Sequence, residues 1–182
     1  MDQHKLERGA ALILEGLGVD RHKDRNFQET PERYARVMME LFNPPETDYA
    51  TFPETYNDFV LLRDHRMYSL CPHHLLPVRL YVSLAYIPGT SVLGLSKLAR
   101  LAADCNRQPL LQEGFTNDLA ERVMKLVPGC KGAAAIVEGR HGCIEIRGVR
   151  SDAHFITYRF KGEFQTNERL QDRFLALCKT PR

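Results

Sequence analysis

Residues 71–89, CPHHLLPVRLYVSLAYIPG, decide the fold because they join a chemically unusual tetrapeptide to the clearest strand in the chain. From Val78 to Ile87, apolar residues recur with the period of two that is typical of a strand. Pro88-Gly89 then turns the chain. The tetrapeptide Cys71-Pro72-His73-His74 is therefore expected at a strand edge or bend, which is a rigid platform for a site.

The tetrapeptide contains two side chains that bind metals well, Cys71 and His74, three positions apart. Such residues near a strand are more often packed or solvent-exposed than metal ligands, so these four residues alone leave both interpretations open. Cys143 supplies a third ligand if the fold brings it near, and three protein ligands leave the fourth position of a catalytic zinc for water. His73 and His141 would then flank the metal and move protons.

Periodic segments on both sides of this strand predict the remaining elements. Two N-terminal helices are expected at 4–16 and from Thr30, which can cap a helix that has Pro31 at its first position. The other predictions are a strand at 59–62, helices between Ser96 and Pro109, at 116–127 and at 167–178, and strands at 133–137, 143–146 and 153–164, with a turn over 138–142. This order predicts an α+β domain in which an antiparallel sheet carries two helices on one face.

Composition excludes several classes of protein. A formal charge of +2 and a pI near 8.3 are too mild to indicate a nucleic-acid-binding protein. The chain has no apolar run of membrane-spanning length and begins with the polar segment MDQHKLERG, so we expect a cytosolic protein. Its five cysteines are odd in number and scattered, which disfavours a disulfide framework and leaves thiols free to bind metal.

Two cations, Lys97 and Arg100, fall in the first turns of the third predicted helix. Positive side chains are poorly placed there, because the N-terminal end of a helix already carries partial positive charge. An anion such as phosphate, held by both cations and the Ser96 hydroxyl, would make the arrangement favourable. Two solvated surface cations are the alternative, and the spacing alone does not exclude them.

The pair Gln112-Glu113 is expected in a short connection before the helix at 116–127. A carboxylate in such a place is usually solvent-facing. If it is directed into a pocket, it can accept two hydrogen bonds from the edge of a guanine.

Taken together, these segments resemble the GTP cyclohydrolase I family. The resemblance is carried, in the family's order, by Glu29-Thr30-Pro31-Glu32-Arg33, Cys71-Pro72-His73-His74, the segment 94–100 (GLSKLAR), Gln112-Glu113, and His141-Gly142-Cys143 with Arg147-Gly148. It extends over about residues 5–175. It implies the tunnelling fold, with a helical extension over 1–50 and a catalytic domain over 51–182. It also implies a ring-shaped barrel, commonly a homodecamer, with active sites between subunits.

The resemblance further implies specific roles. Zinc would be held by Cys71, His74 and Cys143, and a water activated by the metal would add to C8 of GTP. His73 and His141 correspond to the acid–base groups, and Glu113, with Gln112 beside it, to the residues that bind the guanine. The triphosphate binders correspond to Ser96, Lys97, Arg100, Arg147 and Arg33. The implied products are formate and 7,8-dihydroneopterin triphosphate.

Three segments depart from the family pattern near the expected pocket. Pro72 replaces a glutamate, Leu80-Tyr81 replaces a Gly-Lys pair, and 153–160 (AHFITYRF) lacks a Ser/Thr-rich run. These departures leave open a relative that acts on another purine nucleotide or stops after ring opening and deformylation. A non-catalytic zinc- and nucleotide-binding homologue and a fold-mate that reduces a nitrile with NADPH are further alternatives. The oligomer count and the pathway that uses the product also stay open.

Overall fold

The computed structural model describes residues 1–179 and forms two compact units, one over Met1–Pro45 and one that begins at Glu46. Its helices are α1 (Gln3–Gly16), α2 (Thr30–Phe42), α3 (Leu95–Asp104), α4 (Gln112–Leu126), α5 (Gly142–Glu145), α6 (Glu163–Thr166) and α7 (Glu168–Lys179). Its strands are β1 (Thr51–Pro53), β2 (Val60–Leu70), β3 (Pro77–Ile87), β4 (Ser91–Leu93), β5 (Gly132–His141) and β6 (Phe155–Gly162). None of the helices in the described residues is long and apolar enough to span a membrane.

The first unit consists of two helices that pack on each other. Asp2 caps α1, because its carboxylate accepts the backbone N–H of Lys5 at 3.1 Å. The predicted cap of α2 is wrong by one position, since Thr30 is already the first helical residue and Glu29 precedes it. The Glu29 side chain does not cap the helix and instead accepts a hydrogen bond from Arg33.

The second unit is built on an antiparallel sheet with the strand order β2-β3-β5-β6, beside a separate pair of short strands, β1 and β4. One face of β3 is fully buried beneath α3 and α4, which run across the sheet. The side chains that fill this core include Val78, Leu80 and Val82 from β3, Leu98 and Leu101 from α3, and Phe115, Leu119 and Val123 from α4. The predicted α+β arrangement, with two helices on one face of an antiparallel sheet, is confirmed.

A second, smaller core lies on the opposite face of the same sheet. Ala85 and Ile87 alternate with the residues of the first core along β3, so they point to this other side. They pack with Phe59, Phe164 and Phe174, whose rings meet at centroid distances of 5.4–6.5 Å. The last helix therefore anchors the end of the sheet that is remote from the tetrapeptide.

Two strand predictions are wrong. The strand predicted at 59–62 continues to Leu70, because a bulge at Arg63 and Asp64, with Asp64 at φ 59°, interrupts the pairing with β3, which resumes at His65. The predicted turn over 138–142 and strand at 143–146 do not occur: β5 runs on to His141 and the short helix α5 follows. The polar residues of 138–141 are tolerated in the strand because one face of this end of the sheet is open to solvent.

Two helix starts also differ from the prediction. Gln112 and Glu113 form the first turn of α4 and not a connection before it. The start of α3 is Leu95, so Gly94 holds the cap position and Ser96 is inside the helix without a capping bond. Both differences arise because helix ends depend on tertiary packing, which local sequence signals do not contain.

Candidate active site

The tetrapeptide forms most of a tight loop between β2 and β3. Two backbone bonds close the loop, from Cys71 N–H to the Leu76 carbonyl and from Leu75 N–H to the Cys71 carbonyl, both at 2.9 Å. The second bond makes one helical turn, which brings residues three apart to the same side. Cys71 Sγ and His74 Nδ1 lie 3.7 Å apart as a result.

The register of the sheet brings Cys143 to this loop. Val78, the second residue of β3, is opposite His141, the last residue of β5, so the chain that follows β5 must pass the loop that precedes β3. The approach is close, since a side chain at Gly142 would place its Cβ 2.9 Å from the Pro77 carbonyl oxygen. The donor atoms of Cys71, His74 and Cys143 all lie within 4.8 Å of one another.

The chemistry of this donor set suits a metal ion. Cys71 is only 5% exposed, and burial together with the adjacent Cys71 thiol raises the pKa of the Cys143 thiol. Two neighbouring thiolates repel each other, so both thiols ionise only beside a compensating positive charge. A divalent metal ion provides that charge. Two sulfur ligands and one imidazole are also a typical protein ligand set for zinc. This group can therefore hold a metal.

A cavity of about 420 Å³ opens beside the group. Its walls include Cys71 and Cys143, so any metal held there would face this space. The polar and aromatic side chains that line it are His73, Gln112, Glu113, His141, Phe155 and Thr157. His73 stays near the metal group, with Nδ1 3.9 Å from Cys71 Sγ. Both histidines that were predicted to move protons thus share one cavity with the metal group.

His141 occupies a more enclosed place than His73. Burial lowers the pKa of His141, although the Glu113 and Glu145 carboxylates oppose that effect. Its ring meets the Phe155 ring nearly at a right angle, and its Nε2 lies 2.8 Å from Gln112 Oε1. The lowered pKa of His141 favours its neutral imidazole, which can accept a proton.

The predicted phosphate-binding residues are not gathered around this cavity. Arg147 is beside the metal group, with one guanidinium nitrogen 2.8 Å from His74 Nε2. Ser96, Lys97 and Arg100 lie on α3 and none of them lines the cavity. Arg33 belongs to the first unit, where it pairs with Glu29 at 2.8 Å.

The three departures from the family pattern fall in different places. Pro72 lines the cavity directly, as do Phe155 and Thr157 from the third departing segment. Leu80 is fully buried in the first core and Tyr81 points to the opposite face, and neither lines the cavity of its own chain. The first and third departures thus lie where they can contact a ligand held in this cavity.

Sequence reasoning missed two contributors to the site. Thr157 lines the cavity from β6, and its hydroxyl lies 3.1 Å from Gln112 Nε2. Gly139 in β5 leaves space that Gln112 fills, since a Cβ there would lie 2.0 Å from Gln112 Oε1. A glycine inside a strand often marks such a close approach, so this signal could have been used.

Comparison with known proteins places the chain in a family. A profile of GTP cyclohydrolase I matches residues 6–179. The GTP cyclohydrolase 1 of Clostridium perfringens (strain 13) is 39% identical over 178 residues, covering 94% of this chain and 95% of the relative. That of Aquifex aeolicus is 38% identical over 183 residues, covering 98% of each. A solved archaeosine synthase QueF-like protein in the apo form has a TM-score of 0.49 and 22% identity, over 59% of this chain and 97% of its own. On the strength of the profile and of relatives matched along nearly their whole length, the chain belongs to the GTP cyclohydrolase I family, whose members named above are hydrolases of GTP.

Proposed function

We propose that the protein is a zinc-dependent enzyme that converts GTP and water into formate and 7,8-dihydroneopterin triphosphate. One observation carries the proposal: a group of three metal-binding side chains, of which Cys71 and Cys143 line the cavity, adjoins the space that His73, His141 and Glu113 also line. A structural zinc site would need neither the two histidines nor the carboxylate. The product would enter a pathway of the folate and pterin kind.

Glu113 is the residue that we propose to bind the guanine. It is exposed on the first turn of α4 and its side chain lines the cavity. A carboxylate accepts hydrogen bonds only, and guanine presents two neighbouring donors, its ring N–H and its 2-amino group. Pairing these groups would distinguish guanine from adenine and orient the imidazole ring of the base toward the histidines.

We propose that Cys71, His74 and Cys143 hold the zinc. When bound there, zinc supplies Lewis-acid activation of water for attack on the guanine ring. His73 would deliver and accept protons at the side of the cavity near the metal group. His141, which is buried more deeply, would do so at the side near Glu113 during ring opening and loss of formate.

For the triphosphate we propose Arg147 together with Ser96, Lys97, Arg100 and Arg33. Because the α3 residues do not line the cavity of their own chain, we propose that they serve the cavity of a neighbouring subunit. β2 and β6 are the outer strands of the described sheet, and such edges can pair with a second copy. A ring-shaped homodecamer with active sites between subunits would bring the α3 residues to a neighbouring cavity and would also pair the edge strands β2 and β6.

The direct test is to measure bound zinc in the purified protein, incubate it with GTP, and assay both formate and the fluorescent pterin that forms on oxidation. We expect about one zinc per chain and both products in equal amounts. Zinc with neither product would contradict the assignment and favour a non-catalytic homologue. Formate without pterin would favour an enzyme that stops after ring opening, a candidate that remains because Pro72 lines the cavity in place of the usual carboxylate.

Glu113→Gln should weaken GTP binding with a smaller effect on the chemical step. The amide retains one acceptor but loses the charge, and hydrogen bonds to a charged group are worth about 1.5–3 kcal/mol. KM for GTP should therefore rise about 10-fold to 100-fold. Steady-state kinetics with GTP tests this, and Glu121→Gln on the same helix, outside the cavity, is the matched control. A fall in kcat at unchanged KM would contradict the role of Glu113 in binding.

A further inference from the structure

Gln112 is a buried polar side chain whose hydrogen-bonding capacity is taken up by the protein itself. It is 4% exposed, although it lies in the first turn of α4 beside the exposed Glu113. Its amide nitrogen donates to the backbone carbonyls of Val137 at 3.0 Å and Phe155 at 2.9 Å, and lies 3.1 Å from Thr157 Oγ1. An amide nitrogen has two hydrogens, so these partners occupy its full donor capacity.

These contacts fix the orientation of the carboxamide. Carbonyl oxygens accept hydrogen bonds only, so the nitrogen of Gln112 must face Val137 and Phe155, and its oxygen must face the other way. The oxygen meets His141 Nε2 at 2.8 Å. Because an amide oxygen accepts and cannot donate, Nε2 of the histidine must carry a hydrogen.

The surroundings hold this arrangement in place. Gly139 has no side chain where Gln112 Oε1 lies, and a Cβ there would be only 2.0 Å from that oxygen and 3.0 Å from His141 Nε2. On the other side of the carboxamide, Thr157 Oγ1 is 2.6 Å from Thr116 Oγ1, which in turn donates to the Gln112 backbone carbonyl at 2.8 Å. Hydrogen bonds thus link the side chains of Gln112 and Thr116 on α4 with that of Thr157 on β6 in one continuous network.

We propose that Gln112 is a positioning residue that holds the His141 ring with its hydrogen on Nε2, and that it does not bind the guanine. This inference rests on the proposed function, in which His141 moves protons during catalysis. Adjacent residues of a helix are turned about 100° from each other, so Glu113 can face the substrate while Gln112 faces the sheet. Through this contact Gln112 fixes the orientation of the His141 ring and the tautomer that carries its hydrogen on Nε2.

The test is a comparison of two substitutions with the wild-type enzyme. Gln112→Met keeps the length of the side chain but removes its polar atoms. A positioned acid–base group contributes about 10²–10⁴-fold to the rate, and loss of its positioning should remove part of that contribution. We therefore expect kcat to fall at least about tenfold, and KM for GTP to change less than about threefold. Gln112→Glu keeps an acceptor oxygen for His141, but its carboxylate has no hydrogen to donate to the Val137 and Phe155 carbonyls. It should recover kcat at least about fivefold over Gln112→Met.

Two kinetic results would overturn the proposal. A rise in KM at unchanged kcat would show that Gln112 binds substrate, as Glu113→Gln is expected to show for its own position. Equal losses in Gln112→Met and Gln112→Glu would show that the side chain only ties β5 to β6. Zinc content and thermal unfolding, measured on each variant, separate these effects from loss of metal or of fold.

A crystal structure of Gln112→Met supplies a readout that does not depend on turnover. We expect the His141 ring to occupy more than one orientation once its acceptor is gone, and an unmoved ring would overturn the proposal. If the wild-type enzyme made no formate from GTP, the proposed function would fail, and this structure would still decide whether Gln112 positions the ring.

Discussion

Replacing Cys143 by serine is expected to remove the bound metal and the turnover of GTP together. A serine hydroxyl is a poor zinc ligand, because it does not ionise near neutral pH as a thiol does beside a metal. Mutation of a residue that only hydrogen-bonds to a metal ligand typically lowers metal affinity about 10–100-fold. Loss of the ligand itself should therefore lower the affinity for zinc more than about 100-fold. Elemental analysis of the purified variant and a formate assay measure the two effects.

Cys178→Ser is the matched control for this experiment. Cys178 packs against the second core on the opposite face of the sheet, far in the fold from the metal group. The same change of sulfur to oxygen there should leave both zinc content and formate production near the wild-type values. If Cys143→Ser kept its zinc and its activity, the assignment of three protein ligands would be wrong.

Replacing His73 by alanine should separate metal binding from catalysis. His73 lines the cavity and lies near Cys71 but is not a member of the metal group, so the variant should retain its zinc. Turnover should fall about 10²–10⁴-fold, which is the usual contribution of a positioned acid–base group. The measurement is kcat for GTP beside zinc content on the same preparation.

His22→Ala, an exposed change in the first unit, controls for the loss of an imidazole in general. Release of zinc from His73→Ala would show that the division between ligand and acid–base group is mistaken. Retention of full kcat would show instead that His141 alone moves the protons. Both outcomes differ clearly from the expected one, in which the metal stays and the chemistry slows.

The sequence predicted the centre of the fold well, because the strongest signals are those of buried elements. The alternation in β3 follows directly from one face packing on α3 and α4. The metal group was predictable because few residue types bind zinc and two of them lie on one turn of the loop. The third member, Cys143, is a possible ligand because it is a cysteine. Its position next to Cys71 and His74 depends on the register of β3 and β5, which the sequence alone does not give.

Other parts could not be predicted, for reasons that are physical. The polar end of β5 resembles a turn in the sequence, since strand pairing with β3 is a long-range interaction that local patterns do not contain. Gln112 and Glu113 are neighbours with opposite environments, and their separation depends on where α4 begins. Without that starting point, the resemblance to a family could only assign both residues to the nucleotide.

The metal group also has a consequence for the stability of the chain. His74 and Cys143 are 69 residues apart, and they lie just before β3 and just after β5, two strands that pair with each other. A cation held by both would act as a cross-link that closes a long loop in the unfolded chain. In chain-entropy terms, a cross-link over a loop of this length is worth about 4 kcal/mol, as for a disulfide. A chelator would then lower the temperature of unfolding as well as stop catalysis. The three metal-binding side chains would thus also stabilise the folded sheet.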